Sequence, residues 1–159
     1  MQHNRPPHRR RKGPTMHLRT STTVTYAGAR AALDSAIARA SELGLALNVA
    51  VCDAGGTVLA FARMDGAFAH SGSIAMDKAR TVCGFEGIAT DDLYGGLAGE
   101  DAVVRGIANR PGIAAFGGGV PIRVGDDLVG AVGVSGGSAE QDKEVASAGA
   151  AAVTTKEQS

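Results

Sequence analysis

The chain has 159 residues, 16 basic and 16 acidic side chains, and a hydrophobic share of 44%, which is enough for one domain with a buried core. Five of the basic residues lie within the first fifteen positions, so the rest of the chain is acidic, which argues against nucleic-acid binding. No run approaches the ~20 apolar residues of a membrane span. We therefore expect a disordered basic tail over residues 1–18 and a single domain over residues 19–155.

The first elements are a predicted helix and a predicted hairpin. Apolar residues at helical spacing predict a helix over residues 26–43, with Thr25 as N-cap and Gly44 just past its C-terminus. Alternating apolar residues then predict two strands, over residues 47–52 and 57–63. The Asp-Ala-Gly-Gly sequence between them is typical of a hairpin turn.

The middle of the chain is predicted to be largely helical. One helix is expected over residues 73–85, and a second begins near Thr90, whose hydroxyl can cap the amides that follow it. Residues 95–112 are expected to be irregular or to form short helices. A short apolar run predicts a third strand over residues 113–116.

The last part of the chain predicts a hairpin followed by a capped helix. The two strands cover residues 120–124 and 128–134, around a Gly-Asp-Asp turn. Glycines inside the second strand indicate that a helix, a subunit or a ligand approaches it closely. Ser138 and Gln141 have the spacing of a capping box, which predicts a helix that runs close to the end of the chain.

Together these elements predict an α+β fold with a five-stranded antiparallel sheet, because short connections and repeated hairpins do not suit a parallel one. Four segments also resemble the GlcG/HbpS family, a DUF336-like group whose members are often labelled haem-degrading: residues 49–56, 63–67, 76–81 and 117–153. The resemblance spans about residues 46–153. It implies a profilin-like sheet layered with helices, a homo-oligomer, and haem as the ligand.

His70 is a candidate for the chemistry, because the other three histidines lie in the N-terminal region. It lies where a loop enters a helix, and there a histidine can ligate haem iron or act as an acid or base. An ordinary surface or capping role is equally open. Ile74 and Lys78 follow at four and eight residues, so this stripe offers an apolar wall and a cation for haem propionates.

Thr90 has two interpretations. From the residues alone, it is a helix N-cap, followed by Asp91 and Asp92 at the positive end of the helix. The resemblance implies that the threonine of this turn lies near bound haem. We therefore include Thr90 among the expected haem-binding residues.

A charged group surrounds the loop before the second helix, and it contains Arg63, Asp65, Lys78 and Arg80. These residues form either solvated ion pairs or an edge that binds a carboxylate. The second alternative suits a cofactor-independent enzyme in which His70 or Asp65 is the acid or base and Arg63 or Arg80 holds a carboxylate-bearing substrate. No metal-ligand spacing is present, so no metal site is predicted.

The favoured function is a small haem-binding protein, with haem degradation left open. The cofactor-independent enzyme and a non-enzymatic sensor module are the alternatives. The expected partners are a second copy of the chain and a small-molecule ligand, with no nucleic acid and no membrane. Because no apolar segment follows the basic tail as in a secretion signal, we expect a cytoplasmic protein. Cys52 and Cys83 are expected to be small buried hydrophobic residues.

Overall fold

The computed structural model describes residues 17–154. In chain order, the elements are α1 (Tyr26–Glu42), β1 (Asn48–Asp53), β2 (Val58–Arg63), α2 (Ser71–Gly84), α3 (Thr90–Leu97), α4 (Asp101–Ala108), β3 (Gly119–Val124), β4 (Asp127–Ser135) and α5 (Ala139–Thr154). The predicted tail lies almost entirely outside the described residues, and its disorder and the domain boundary stay predictions.

The predicted helix ends around α1 and α5 are confirmed. The Thr25 side chain accepts a hydrogen bond from the Gly28 amide, and Gly44, just after α1, has a φ of +68° that glycine adopts without strain. At α5, the Ser138 amide donates to the Gln141 side chain and the Gln141 amide donates to the Ser138 hydroxyl. This reciprocal pair satisfies two amides that the helix itself leaves unbonded.

The sheet is antiparallel throughout, with the strand order β2-β1-β4-β3. The α+β class is therefore confirmed, but the prediction of five strands is wrong. Residues 113–116 form no strand, because their backbone is bonded to a helix. The Ala114 amide donates a hydrogen bond to the Thr81 hydroxyl of α2 at 3.0 Å. The same hydroxyl donates to the Gly112 carbonyl oxygen at 3.4 Å.

Helices cover both faces of the sheet. On one face α1 and α5 pack against valines of the two central strands, Val49, Val51, Val132 and Val134, all fully buried. On the other face α2 packs over Cys52 and its neighbours on the central strands. The arrangement therefore has three layers, and α3 lies beside it in contact with α2, β3 and α4.

The glycines of β4 allow a helix to approach the strand. Of the helix, subunit or ligand that the sequence left open, the helix is therefore confirmed. A Cβ added to Gly133 would lie 2.0 Å from the Ala75 carbonyl oxygen and 2.6 Å from the Ala79 nitrogen. Both atoms belong to the backbone of α2, so α2 lies directly on this strand.

Between residues 17 and 154 there is no helix with the length and apolar character needed to cross a bilayer.

Candidate functional site

The loop between β2 and α2 holds three of the predicted site residues at the surface. Arg63 ends β2, and its Nε donates to the Ala67 carbonyl oxygen at 3.1 Å. Asp65 is exposed. His70 directly precedes α2, is exposed, and makes no side-chain capping bond to the helix. Arg63, Asp65 and His70 therefore form an open charged group, not an enclosed site.

Lys78 belongs to a different environment, because its side chain is completely buried. Its ammonium donates to Asp142 Oδ2 at 3.0 Å and to the Val134 carbonyl oxygen at 2.8 Å. It also lies 4.6 Å from the centre of the Phe116 ring, within the range of a cation–π contact. Burial lowers the pKa of Lys78, and the Asp142 carboxylate opposes that shift.

The position of Lys78 follows from the segment that joins α4 to β3. Gly118 has a φ of +128°, and a Cβ there would lie 2.6 Å from Lys78 Nζ and 2.5 Å from the Val134 carbonyl oxygen. Asp142 is held in turn by the Gly137 amide, which donates to its Oδ1 at 2.9 Å. The ammonium therefore has a full set of protein contacts, which conflicts with the expected role of Lys78 as a propionate contact.

Thr90 is also buried, and the prediction that it caps a helix is wrong. Ala89 is the N-cap of α3, and Thr90 is its first residue. The Thr90 hydroxyl accepts a hydrogen bond from the Gly119 amide at 2.9 Å, so it fixes the start of β3. The two acidic residues that follow it do lie in the first turn of the helix, as expected.

The predicted site residues therefore do not converge. His70, just before α2, and Lys78 within it are eight residues apart, which corresponds to about 12 Å along the helix axis. Arg80 is half-exposed and lies 3.8 Å from Asp77 on the same helix. The charged loop at one end of α2, the buried Lys78 and Thr90, and the Arg80–Asp77 pair are three separate features.

An apolar cavity that the sequence did not predict lies between α3, α4 and residues 113–116. Its volume is about 240 Å³, and it is lined by two alanines together with Tyr94, Leu97, Val104, Ile107, Ile113 and Phe116. A second cavity of about 310 Å³ shares Tyr94, Ala115 and Phe116 with the first and extends to Asp91 and Gly117. We call the two together the α3–α4 cavity.

The outer wall of the α3–α4 cavity is held loosely. Helix α4 has no buried residue, although its Val104 and Ile107 line the cavity. A Cβ on any of Gly95, Gly96, Gly99 or Gly106 would have no heavy atom within 4 Å. Tyr94 and Phe116 are half-exposed, at 52% and 50%. Large exposed aromatic rings around an apolar hollow are typical of a ligand-binding surface.

One ion pair lies at the edge of this cavity. Lys143 of α5 donates to Asp91 Oδ2, and within the described residues the buried Oδ1 of Asp91 has no hydrogen-bond partner. Burial alone would raise the pKa of Asp91, but the hydrogen bond and charge of Lys143 outweigh it, so this pKa lies below its usual value. Lys143 thus brings a positive charge close to the cavity.

Comparisons with known proteins identify a family and several relatives. A model of the family described as "Haem degrading protein HbpS-like" matches residues 24–151. An uncharacterised 15.0 kDa protein of the dhaT–dhaS intergenic region in Citrobacter freundii is 35% identical over 124 residues, which cover 78% of this chain and 87% of that protein.

Two solved structures share the fold at similar identity. Protein ORFY of Klebsiella pneumoniae is 31% identical with a TM-score of 0.80, over 89% of this chain and 97% of that one. A complex of PduOC with haem is 29% identical with a TM-score of 0.75, over 82% of this chain and 95% of that one. The chain belongs to the HbpS-like (DUF336/GlcG) family.

Proposed function

We propose that this protein binds haem, and that the α3–α4 cavity is the binding site. The observation that carries the proposal is the apolar hollow bordered by two half-exposed rings, Tyr94 and Phe116. Membership of the HbpS-like family and the solved haem complex of a structural relative support haem as the ligand.

The residues of the cavity fit a porphyrin in size and chemistry. Small-molecule pockets usually measure about 300–1,000 Å³ and are mostly apolar with a few polar groups. The part of about 310 Å³ lies within that range, and the part of about 240 Å³ adjoins it. When bound, haem supplies an iron centre with redox and oxygen chemistry. The chain supplies apolar side chains that exclude water, aromatic faces, and a nearby cation.

The buried Lys78 supports this site from beneath. Its ammonium faces the Phe116 ring at 4.6 Å and fixes the position of this aromatic wall. We assign the propionate contact that was expected from Lys78 to Lys143 instead, because Lys143 is 45% exposed and pairs with a residue of the cavity wall.

Charging the cavity wall will test the location of the site. Ile107→Glu places a carboxylate among apolar side chains, and we expect haem affinity to fall by about tenfold or more, since an unpaired buried charge is costly. Val103→Glu is the matched control, because Val103 lies on the same helix, is 37% exposed, and does not line the cavity. Its haem affinity should stay within about twofold of the wild type.

The measurement is a haem titration followed by absorbance, with circular dichroism to confirm that both variants fold. Neither substitution touches the core, because α4 contributes no buried residue. If Ile107→Glu and Val103→Glu bind haem equally well, the α3–α4 cavity is not the site.

The second candidate function is a cofactor-independent reaction on a carboxylate-bearing substrate. The observation in its favour is the exposed group of Arg63, Asp65 and His70, in which the Arg63 Nε is anchored on the Ala67 carbonyl oxygen. In this scheme His70 or Asp65 exchanges the proton, and Arg63 holds the carboxylate. Arg80 is ten residues after His70 and lies beside Asp77, so it would have to act separately.

We also propose that the protein forms a homo-oligomer through the edge strand β2. This strand has one free edge, carries Phe61 at 41% exposure, and borders a groove of about 460 Å³ against α1 that contains Tyr26, Arg30 and Asp34. Unprotected edge strands pair readily with other chains. The free thiols of Cys52 and Cys83 favour a cytoplasmic location. The helices on both faces of the sheet favour a profilin-like architecture.

Light scattering at micromolar concentration will test this assembly. We expect a mass that is a multiple of the chain mass of 16.0 kDa, and a shift toward the monomer in Phe61→Glu. A monomeric wild-type protein would contradict the proposal.

A further inference from the structure

We infer that the Tyr94 phenol is the side chain that coordinates the iron of a haem bound in the α3–α4 cavity. This inference rests on the proposed function and extends it to the identity of the iron ligand. Neither the family match nor the sequence pattern singles out Tyr94, and the reasons for choosing it are structural.

The first reason is the small number of donor atoms in the cavity wall. In the part of about 240 Å³, Tyr94 is the one lining side chain with an oxygen, nitrogen or sulfur atom. The adjoining part adds Asp91, whose carboxylate is already paired with Lys143. Tyr94 also lines both parts, so its phenol lies at their junction.

The second reason is that the Tyr94 oxygen is available. It is half-exposed, and among residues 17–154 it makes no hydrogen bond or ion pair. Tyrosine is an established axial ligand of haem iron. A phenol without a competing partner can bind the metal without first breaking a protein contact.

The third reason is that the two residues expected from the sequence are poorly placed for this role. Thr90 is 0% exposed, and its hydroxyl is bonded to the Gly119 amide. His70 directly precedes α2 and lines neither part of the cavity. Tyr94 lies one helical turn beyond Thr90 on α3, so it is the nearby donor that faces the cavity.

The test compares Tyr94→Phe and His70→Ala with the wild-type full-length chain. Each protein is titrated with ferric haem and, separately, with iron-free protoporphyrin IX, and resonance Raman spectra of the haem complexes report phenolate–iron vibrations. We expect Tyr94→Phe to lose these vibrations and to bind haem about tenfold or more weakly, as expected for the loss of a metal-site contact. Its affinity for iron-free protoporphyrin IX should change by less than about twofold, because the ring and the apolar wall remain. His70→Ala should match the wild type in every measurement.

The outcomes separate this inference from the function on which it rests. A wild-type protein that binds haem without phenolate–iron vibrations, or a Tyr94→Phe spectrum equal to that of the wild type, overturns the assignment and leaves haem binding intact. Loss of the axial ligand in His70→Ala overturns it as well. If the wild type binds neither haem nor protoporphyrin IX, the assignment fails together with the proposed function.

Discussion

Replacing Gly133 with alanine will lower the free energy of unfolding by about 3 kcal/mol or more, the upper part of the range for overpacking a core. The added Cβ would lie 2.0 Å from the Ala75 carbonyl oxygen, and backbone atoms cannot move aside as a flexible side chain can. Helix α2 would have to lift from the sheet, which disturbs the contacts on that face. Urea denaturation followed by circular dichroism measures the change.

Gly96→Ala is the control for this substitution. Gly96 lies inside α3, and a Cβ there meets no heavy atom within 4 Å. Because alanine favours a helix over glycine by about 1 kcal/mol, this variant should be as stable as the wild type or slightly more so. Equal urea midpoints for Gly133→Ala and Gly96→Ala would contradict the close packing of α2 on β4.

Lys78→Met should lower the free energy of unfolding by about 3–5 kcal/mol, because it leaves Asp142 as an uncompensated buried charge. Both side chains are almost completely buried, and methionine replaces the length of lysine without its charge. The double variant Lys78→Met/Asp142→Asn removes both charges and keeps an oxygen for the Gly137 amide. We expect it to recover most of the lost stability, since the large cost of breaking a buried pair comes from the charge left without a partner, and here neither charge remains.

Lys143→Met is the matched control for Lys78→Met. The Lys143–Asp91 pair is 45% and 35% exposed, so solvent screens it, and its loss should cost less than about 1 kcal/mol. Chemical denaturation of the four proteins gives the comparison. If Lys78→Met and Lys143→Met are equally stable, or if the double variant is no more stable than Lys78→Met, the buried pair does not have the role described here.

Most of the fold could be predicted from local patterns. The Thr25 cap, the Ser138–Gln141 capping box and the hairpins depend on residues close together in the chain, and these predictions are confirmed. The prediction of a strand over residues 113–116 was wrong because this segment depends on a contact that is distant in the chain. Its backbone is bonded to Thr81, more than thirty residues away, and no local pattern reports such a contact.

The candidate site could be predicted only in part. Lys78 and Thr90 were expected to contact haem, and in the structure their polar atoms are bonded to the protein itself. The α3–α4 cavity was missed because glycines made residues 95–112 look irregular. Its signal was present in the helical spacing of Val104 and Ile107 on α4, but the facing aromatic residue, Phe116, comes from a separate segment.

The central claim, that haem binds in the α3–α4 cavity, is tested most directly by nuclear magnetic resonance. Gallium protoporphyrin IX is a diamagnetic stand-in for haem, and its ring current shifts the amide signals of the residues around it. If haem binds there, the largest shifts are expected at Tyr94, Ile107 and Phe116, with little change at Arg63 and His70. Shifts concentrated at Arg63 and His70, or no shifts at all, would contradict it.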